Sequence, residues 1–146
     1  MRELTSSIDI DASPAVVWAV LTDFPAYPEW NPVEISVKGE PVTGTIIEHT
    51  SQIPGSKPMT FRPTVVAATP EKELAWRGKL FVRGLFDVVH RFWLESLDGG
   101  RRTRFHQDEQ FRGVMIPFSG PTLRRTHEAF HTANDALKVR VELQPR

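Results

Sequence analysis

The chain of 146 residues has no cysteine, which removes disulfides, thiolate metal sites and cysteine nucleophiles together. Such a composition suits a reducing cytosol. Neither sign of charge is in excess, since 18 Lys and Arg balance 18 Asp and Glu. No overall field therefore draws in a polyanion or an anionic membrane, and nucleic acid is not an expected partner. No apolar run approaches the ~20 residues needed to cross a bilayer, and the stretch from Met1 to Ser13 alternates polar and apolar residues where a secretion signal would be continuously apolar. We expect a cytoplasmic protein without stable membrane insertion.

Catalytic signatures are missing too. There is no HExxH, no Gly-x-Ser-x-Gly elbow, no phosphate-binding glycine loop and no dinucleotide fingerprint. The histidines at 49, 90, 106, 127 and 131 lack metal-site spacing, although His127 and His131 stand four apart. No metal and no cofactor is expected. The cluster Arg101, Arg102 and Arg104 beside Gly99-Gly100 reads as a solvated hairpin end.

What is present is the composition of a packed globular chain, 40% hydrophobic and 25% charged, far from the polar, highly charged signature of disorder. The length fits one domain over residues 1–146. Leu4, Ser6, Ile8 and Ile10 alternate with polar residues, the period of a first strand with one buried face. Ser13-Pro14 then starts a helix reaching about Thr22, with Val17, Val20, Leu21 and Phe24 as its apolar stripe. Pro25, Pro28 and Pro32 leave room only for an irregular turn or one short helix around Tyr27, Trp30 and Asn31. Segments at about 33–38, 43–53, 59–69, 72–80, 85–97 and 102–113 read as strands joined by Gly- and Pro-containing turns. Beyond Pro121, Leu123, Phe130, Ala133, Asn134, Leu137 and Val141 recur at helical spacing. Strand, short helical pieces, six strands and a long helix imply an α+β domain with an antiparallel sheet covered by helix.

Three segments resemble a known superfamily: SPAVVWAVLTDFPAYPEWNP, ELAWRGKLFVRGLFDVVHRFWLE and AFHTANDALKVRVE. They are similar to the START-like (SRPBCC) superfamily, nearest its polyketide cyclase/dehydrase-like branch, and the resemblance runs over nearly the whole chain. It implies the helix-grip fold, a seven-stranded curved antiparallel sheet wrapped around a long C-terminal helix, with two short helices after strand one and an apolar cavity between sheet and helices. It implies little chemistry, because carriers, cyclases and chaperone-ATPase activators share this fold.

Alternation places the inward residues without the resemblance. In 85–97, Phe86, Val88, His90, Phe92 and Leu94 share one face, and in 102–113 so do Phe105, Gln107, Glu109 and Phe111. Leu74 and Trp76 would join them, with Phe130, Asn134 and Leu137 of the last helix opposite. An apolar lining with a few convergent polar groups is the anatomy of a small-molecule pocket. The expected ligand-binding set is Phe24, Trp30, Trp76, His90, Phe92, Phe105, Gln107, Phe111, Phe118, Phe130 and Asn134. His90 and Glu109 could satisfy one another, orient a ligand, or serve as catalytic acid and base. Trp30, in its Pro-flanked segment, could act as a lid, and the apolar run Val114 to Phe118 could line the rim or mark a homodimer contact. The reading that follows is a binding module for a hydrophobic or amphipathic small molecule. A cofactor-free cyclase, aromatase or dehydratase and a protein-interaction domain are the alternatives.

Overall fold

The computed structural model describes residues 2–79, 87–113 and 120–143. Strand β1 (Arg2–Ile10) leads into helix α1 (Pro14–Thr22), a single 3-10 turn (Phe24–Ala26) and the short helix α2 (Tyr27–Trp30). Seven strands follow: β2 (Glu34–Lys38), β3 (Glu48–Ser51), β4 (Met59–Phe61), β5 (Thr64–Thr69), β6 (Glu73–Lys79), β7 (Asp87–Leu97) and β8 (Arg102–Arg112). Helix α3 (Gly120–Glu142) ends the fold. Ser13 caps α1 as expected: its hydroxyl accepts from Val16 N, and Pro14 supplies the first-turn φ. Asp98, Gly99 and Gly100 all take positive φ in the tight connection from β7 to β8, a conformation two glycines adopt without a Cβ clash.

The strands form two antiparallel sheets, β1-β8-β7-β6-β5 and β2-β3-β4, where one seven-stranded sheet was expected. The reason lies in residues 43–53 and 59–69, each expected to be one continuous strand. Pro63 has no N–H to donate, and the chain breaks there into β4, which pairs with β3, and β5, which pairs with β6. In the other segment only Glu48–Ser51 is regular strand. Residues 44–47 instead lie beside 63–65 through Gly44 N to Val65 O, Val65 N to Thr45 O and Ile47 N to Pro63 O, at 2.8–3.0 Å. The two sheets are thus hinged at a hydrogen-bonded corner.

Alternation along the long hairpin is as read from the sequence. His90, Phe92 and Leu94 are buried, as are Phe105, Gln107 and Phe111. Leu123, Phe130, Ala133, Asn134, Leu137 and Val141 form the buried stripe of α3, which lies chiefly across β1. The main core joins Val17, Leu21, Phe24 and Tyr27 to Trp76, Phe92, Phe105, Leu137 and Val141, so the α1–α2 segment, the inner face of the large sheet and α3 share one apolar interior.

Candidate functional site

A belt of polar and aromatic side chains crosses this interior. Register places His90 opposite both Glu109 on β8 and Trp76 on β6, while Gln107 sits opposite Phe92 and Ser6. Cross-strand neighbours at this spacing touch. His90 Nδ1 lies 3.0 Å from Glu109 Oε2, and His90 Nε2 lies 2.9 Å from Gln107 Oε1. Gln107 Nε2 donates to Asn134 Oδ1 at 2.7 Å, Asn134 Nδ2 donates to Ser6 Oγ at 2.9 Å, and Ser6 Oγ donates to the Gln107 carbonyl at 2.9 Å.

The direction of this chain is fixed from one end. A backbone carbonyl only accepts, so the Ser6 hydroxyl must donate to it and accept from Asn134. Asn134 Oδ1 is then left to accept from Gln107 Nε2, and Gln107 Oε1 to accept from His90. His90 therefore carries its proton on Nε2, while Nδ1 faces the Glu109 carboxylate. A bare nitrogen lone pair against a carboxylate repels, and a second proton on Nδ1 relieves it. Burial alone would lower the His90 pKa. The Glu109 charge and hydrogen bond, then the Glu34 charge and the Gln107 contact, outweigh burial and raise it above the ordinary 6.5. His90 thus faces acceptors with both nitrogens, an arrangement that favours its protonated form.

A second buried pair lies on the other side of Trp76. His49 Nδ1 stands 2.7 Å from Glu34 Oε2, and Ser51 Oγ donates to both carboxylate oxygens at 2.9 and 3.0 Å. Asn31 Oδ1 accepts from the backbone N–H groups of Val33 and Glu34, both at 2.9 Å, which fixes where Glu34 leaves the Pro-flanked turn. Burial would push the Glu34 carboxyl up, but the adjoining His49, then the charge of His90 and the Ser51 hydrogen bond, hold it below the usual carboxylate range. The rings run in a row: Phe61 to His49 at 5.3 Å, His49 to Trp76 at 5.6 Å, Trp76 to His90 at 5.5 Å and His90 to Phe130 at 5.4 Å.

Of the residues expected to line a site, Trp76, His90, Phe92, Phe105, Gln107, Phe130 and Asn134 are buried together, and Phe24 packs edge-on to Trp76 at 6.4 Å. Glu109 joins through His90. Trp30 is half-buried in α2, tilted against Tyr27 at 4.9 Å, and its indole N–H is buried with no acceptor among the described residues. Phe111 packs instead in a smaller cluster with Leu123, Leu4 and Val88, toward the other end of β8. Phe118 and the run from Val114 lie outside the described residues, as does Phe86. His127 bonds the backbone carbonyl of Thr5 at 2.8 Å, and Arg104 grips Asp9 at 2.7 and 3.2 Å on the surface.

Sequence reasoning missed Glu34, His49 and Ser51. Ile47 and His49 are both buried, two residues apart, so alternation in 43–53 carried a signal for His49. Glu34 could not be found that way. The register shifts between Glu34 and Ser36, which brings both Glu34 and Val37 inward although an odd number of steps separates them.

The outer side of β6 and β7 is different in kind. There a surface groove of about 780 Å³ is lined by Ser13, Lys72, Glu73, Arg91 and Trp93. Its polar groups are engaged: Arg91 with Glu73, and Trp93 Nε1 with Asp108 at 2.8 Å. No helix among the described residues is long and apolar enough to cross a membrane.

An α+β frame with a long C-terminal helix over the inner face of an antiparallel sheet defines a class, and comparison with known proteins agrees. The chain belongs to the polyketide cyclase/dehydrase and lipid transport family, a START-like family whose model matches residues 1–142. Among solved structures it is similar to a protein from Mesorhizobium loti, with a TM-score of 0.78, 17% identity, and coverage of 99% of this chain and 100% of that one. It is similar also to a START superfamily protein from Mycobacterium smegmatis (0.75, 21%, covering 96% and 97%) and to a protein from Helicobacter pylori (0.78, 16%, covering 96% and 88%). At these identities the likeness concerns the fold. No curated protein matches the chain.

Proposed function

We propose that this protein binds a hydrophobic or amphipathic small molecule, lipid-, polyketide- or aromatic-like, between the inner face of the large sheet and α3. The observation that carries the reading is a buried donor with no acceptor among the described residues, the indole N–H of Trp30. Leaving a buried polar group unpaired costs about 1–3 kcal/mol, and a bound molecule with an acceptor would recover it. His49 Nε2 is likewise bonded by no described residue, although it is not fully buried. The aromatic row from Phe61 to Phe130 offers the apolar contact such a ligand needs. The family description, with its lipid transport and its cyclases, supports the same class of ligand. A reducing cytosol suits a chain without cysteine, and there we place it.

His90 and Glu109 weigh less as a free acid and base than the sequence suggested, because each is engaged by the other and His90 also by Gln107. They serve better as the polar end against which a ligand is oriented.

Native mass spectrometry of the purified protein, with solvent extraction of whatever leaves with it, tests the proposal. A discrete apolar adduct, or saturable one-site binding of 8-anilinonaphthalene-1-sulfonate weakened by Phe130→Ala, is expected. An unliganded mass together with no saturable binding of the dye would sink it.

A further inference from the structure

We propose that the Glu34–His49 pair is a general base, with His49 Nε2 positioned to take a proton from a planar conjugated carbonyl or aromatic compound that carries an acidic C–H. The inference rests on the binding proposal above and adds chemistry to it.

The two buried histidines are wired differently. His90 is engaged at both nitrogens, by Glu109 and by Gln107, so neither is open to a ligand's proton. His49 faces an acceptor with one nitrogen only. Its Nδ1 must donate to Glu34, which leaves the lone pair on Nε2. No described residue bonds that atom, and a tenth of the side chain remains open. A carboxylate on Nδ1 with Nε2 free is the arrangement that orients a basic imidazole and stabilises the cation formed when it takes a proton.

Glu34 is itself held fast. Ser51 occupies both of its oxygens, and Asn31 anchors its backbone. Ser51 is not the nucleophile of a triad, because its hydroxyl approaches His49 at Nδ1, 3.4 Å away, on the Glu34 side of the ring. Proton transfer rather than acyl transfer is what this geometry can do. Phe61 and Trp76 flank the imidazole, at 5.3 and 5.6 Å, and favour a flat apolar substrate. Beyond Trp76 stands His90 with Glu109, the titratable groups that face His49 together with Glu34.

In the reaction the substrate C–H bond breaks, its proton goes to Nε2, and its electron pair moves into the adjoining carbonyl to give an enolate that faces the newly formed His49 imidazolium. The proton then returns to a different carbon, or to a departing hydroxyl that leaves as water. Either return regenerates His49, and no oxidant or reductant is required.

The probe is 5-nitrobenzisoxazole, in which removal of the ring C–H expels the phenolate oxygen and produces a coloured nitrophenolate. Quenching of tryptophan fluorescence reads its binding separately from turnover. We expect binding, and a single-turnover rate that falls about 10²-fold in His49→Gln, falls in Glu34→Gln, and is unchanged in His106→Gln on the outer face. Binding without His49-dependent turnover overturns the general base while leaving the binding proposal standing. No binding of the probe overturns the general base, and the binding proposal falls with it only if the dye also fails to bind and the mass is unliganded. Should the His49 variant fail to fold, long-range proton–nitrogen spectra of the histidine-labelled wild type decide. A proton on Nδ1 with a bare Nε2 at pH 8 supports the assignment, whereas an Nε2–H tautomer or an imidazolium refutes it.

Discussion

Replacing Asn134 by Leu removes one link from the directional chain that ends at His90. Asn134 is only 1% exposed and serves two partners, accepting from Gln107 and donating to Ser6. Leucine nearly matches asparagine in volume, so the void term is small and the polar term dominates. The Gln107 amide loses its acceptor, at about 1–3 kcal/mol. Ser6 loses a donor but keeps its own bond to the Gln107 carbonyl, so its share is smaller. For a chain of this size each kcal/mol lowers Tm by about 2–4 °C, which places the expected drop between about 2 and 12 °C. Urea unfolding followed by tryptophan fluorescence, with an unchanged slope against denaturant, measures the same quantity independently. The substitution also frees the Gln107 amide to turn over and present its NH₂ group to His90. The proton on His90 Nε2 then loses its acceptor, and the histidine nitrogen spectrum should report the change. A loss under about 0.5 kcal/mol together with an unaltered His90 signal would refute the argument from bond direction.

The buried charges set the pH range of stability. His90 holds its proton more tightly folded than unfolded, so its contribution is complete below the ordinary 6.5 and drains as pH rises through the raised folded value. Glu34 acts oppositely, contributing above the ordinary 4.5 and losing its contribution as pH falls through the depressed folded value. Stability measured against pH should decline on the alkaline side by up to about 1.4 kcal/mol per pH unit, and His90→Gln should flatten that limb; a limb unchanged in the variant would assign it elsewhere. Phe130→Ala should cost about 3–5 kcal/mol if the ring only fills the core, whereas a much smaller loss with weakened dye binding would make it a ligand wall. Gly39→Ala should cost about 1–3 kcal/mol in urea unfolding, since its φ is +120° and an added Cβ would stand 3.0 Å from Ile47 Cγ2; a neutral result would mean the β2–β3 connection yields easily.

What could be read from the sequence was whatever obeys a regular period. The long β7–β8 hairpin has no bulge in its register, so alternation placed His90, Phe92, Phe105 and Gln107 on the inner face, and the 3.6-residue period placed Asn134 on the buried side of α3. That Gln107 meets Asn134, and that Ser6 closes the chain, depends on how α3 crosses β1, which no local pattern encodes. The break at Pro63 was legible in principle, but its effect, dividing one sheet into two, depends on which neighbour each half finds. Glu34 was hidden by the shift beside it, which inverts the alternation that otherwise sorts buried from exposed.

The pairing of β1 with β8 bears on how the chain comes off the ribosome. Among the described residues β1 pairs with one strand alone, β8, which lies near the end of the sheet's sequence, with Arg2 opposite Phe111 and Ile10 opposite Thr103. The bond from Asn134 to Ser6 spans 128 residues of sequence. Residues 2–10 must therefore wait through the synthesis of some ninety others before β8 arrives, and the polar belt can close only after α3 has emerged and docked. Until then Ile8, Ile10 and the apolar face of α1 stand uncovered. Slow, non-local closure of this kind makes β1 and α1 the elements most in need of shelter during synthesis.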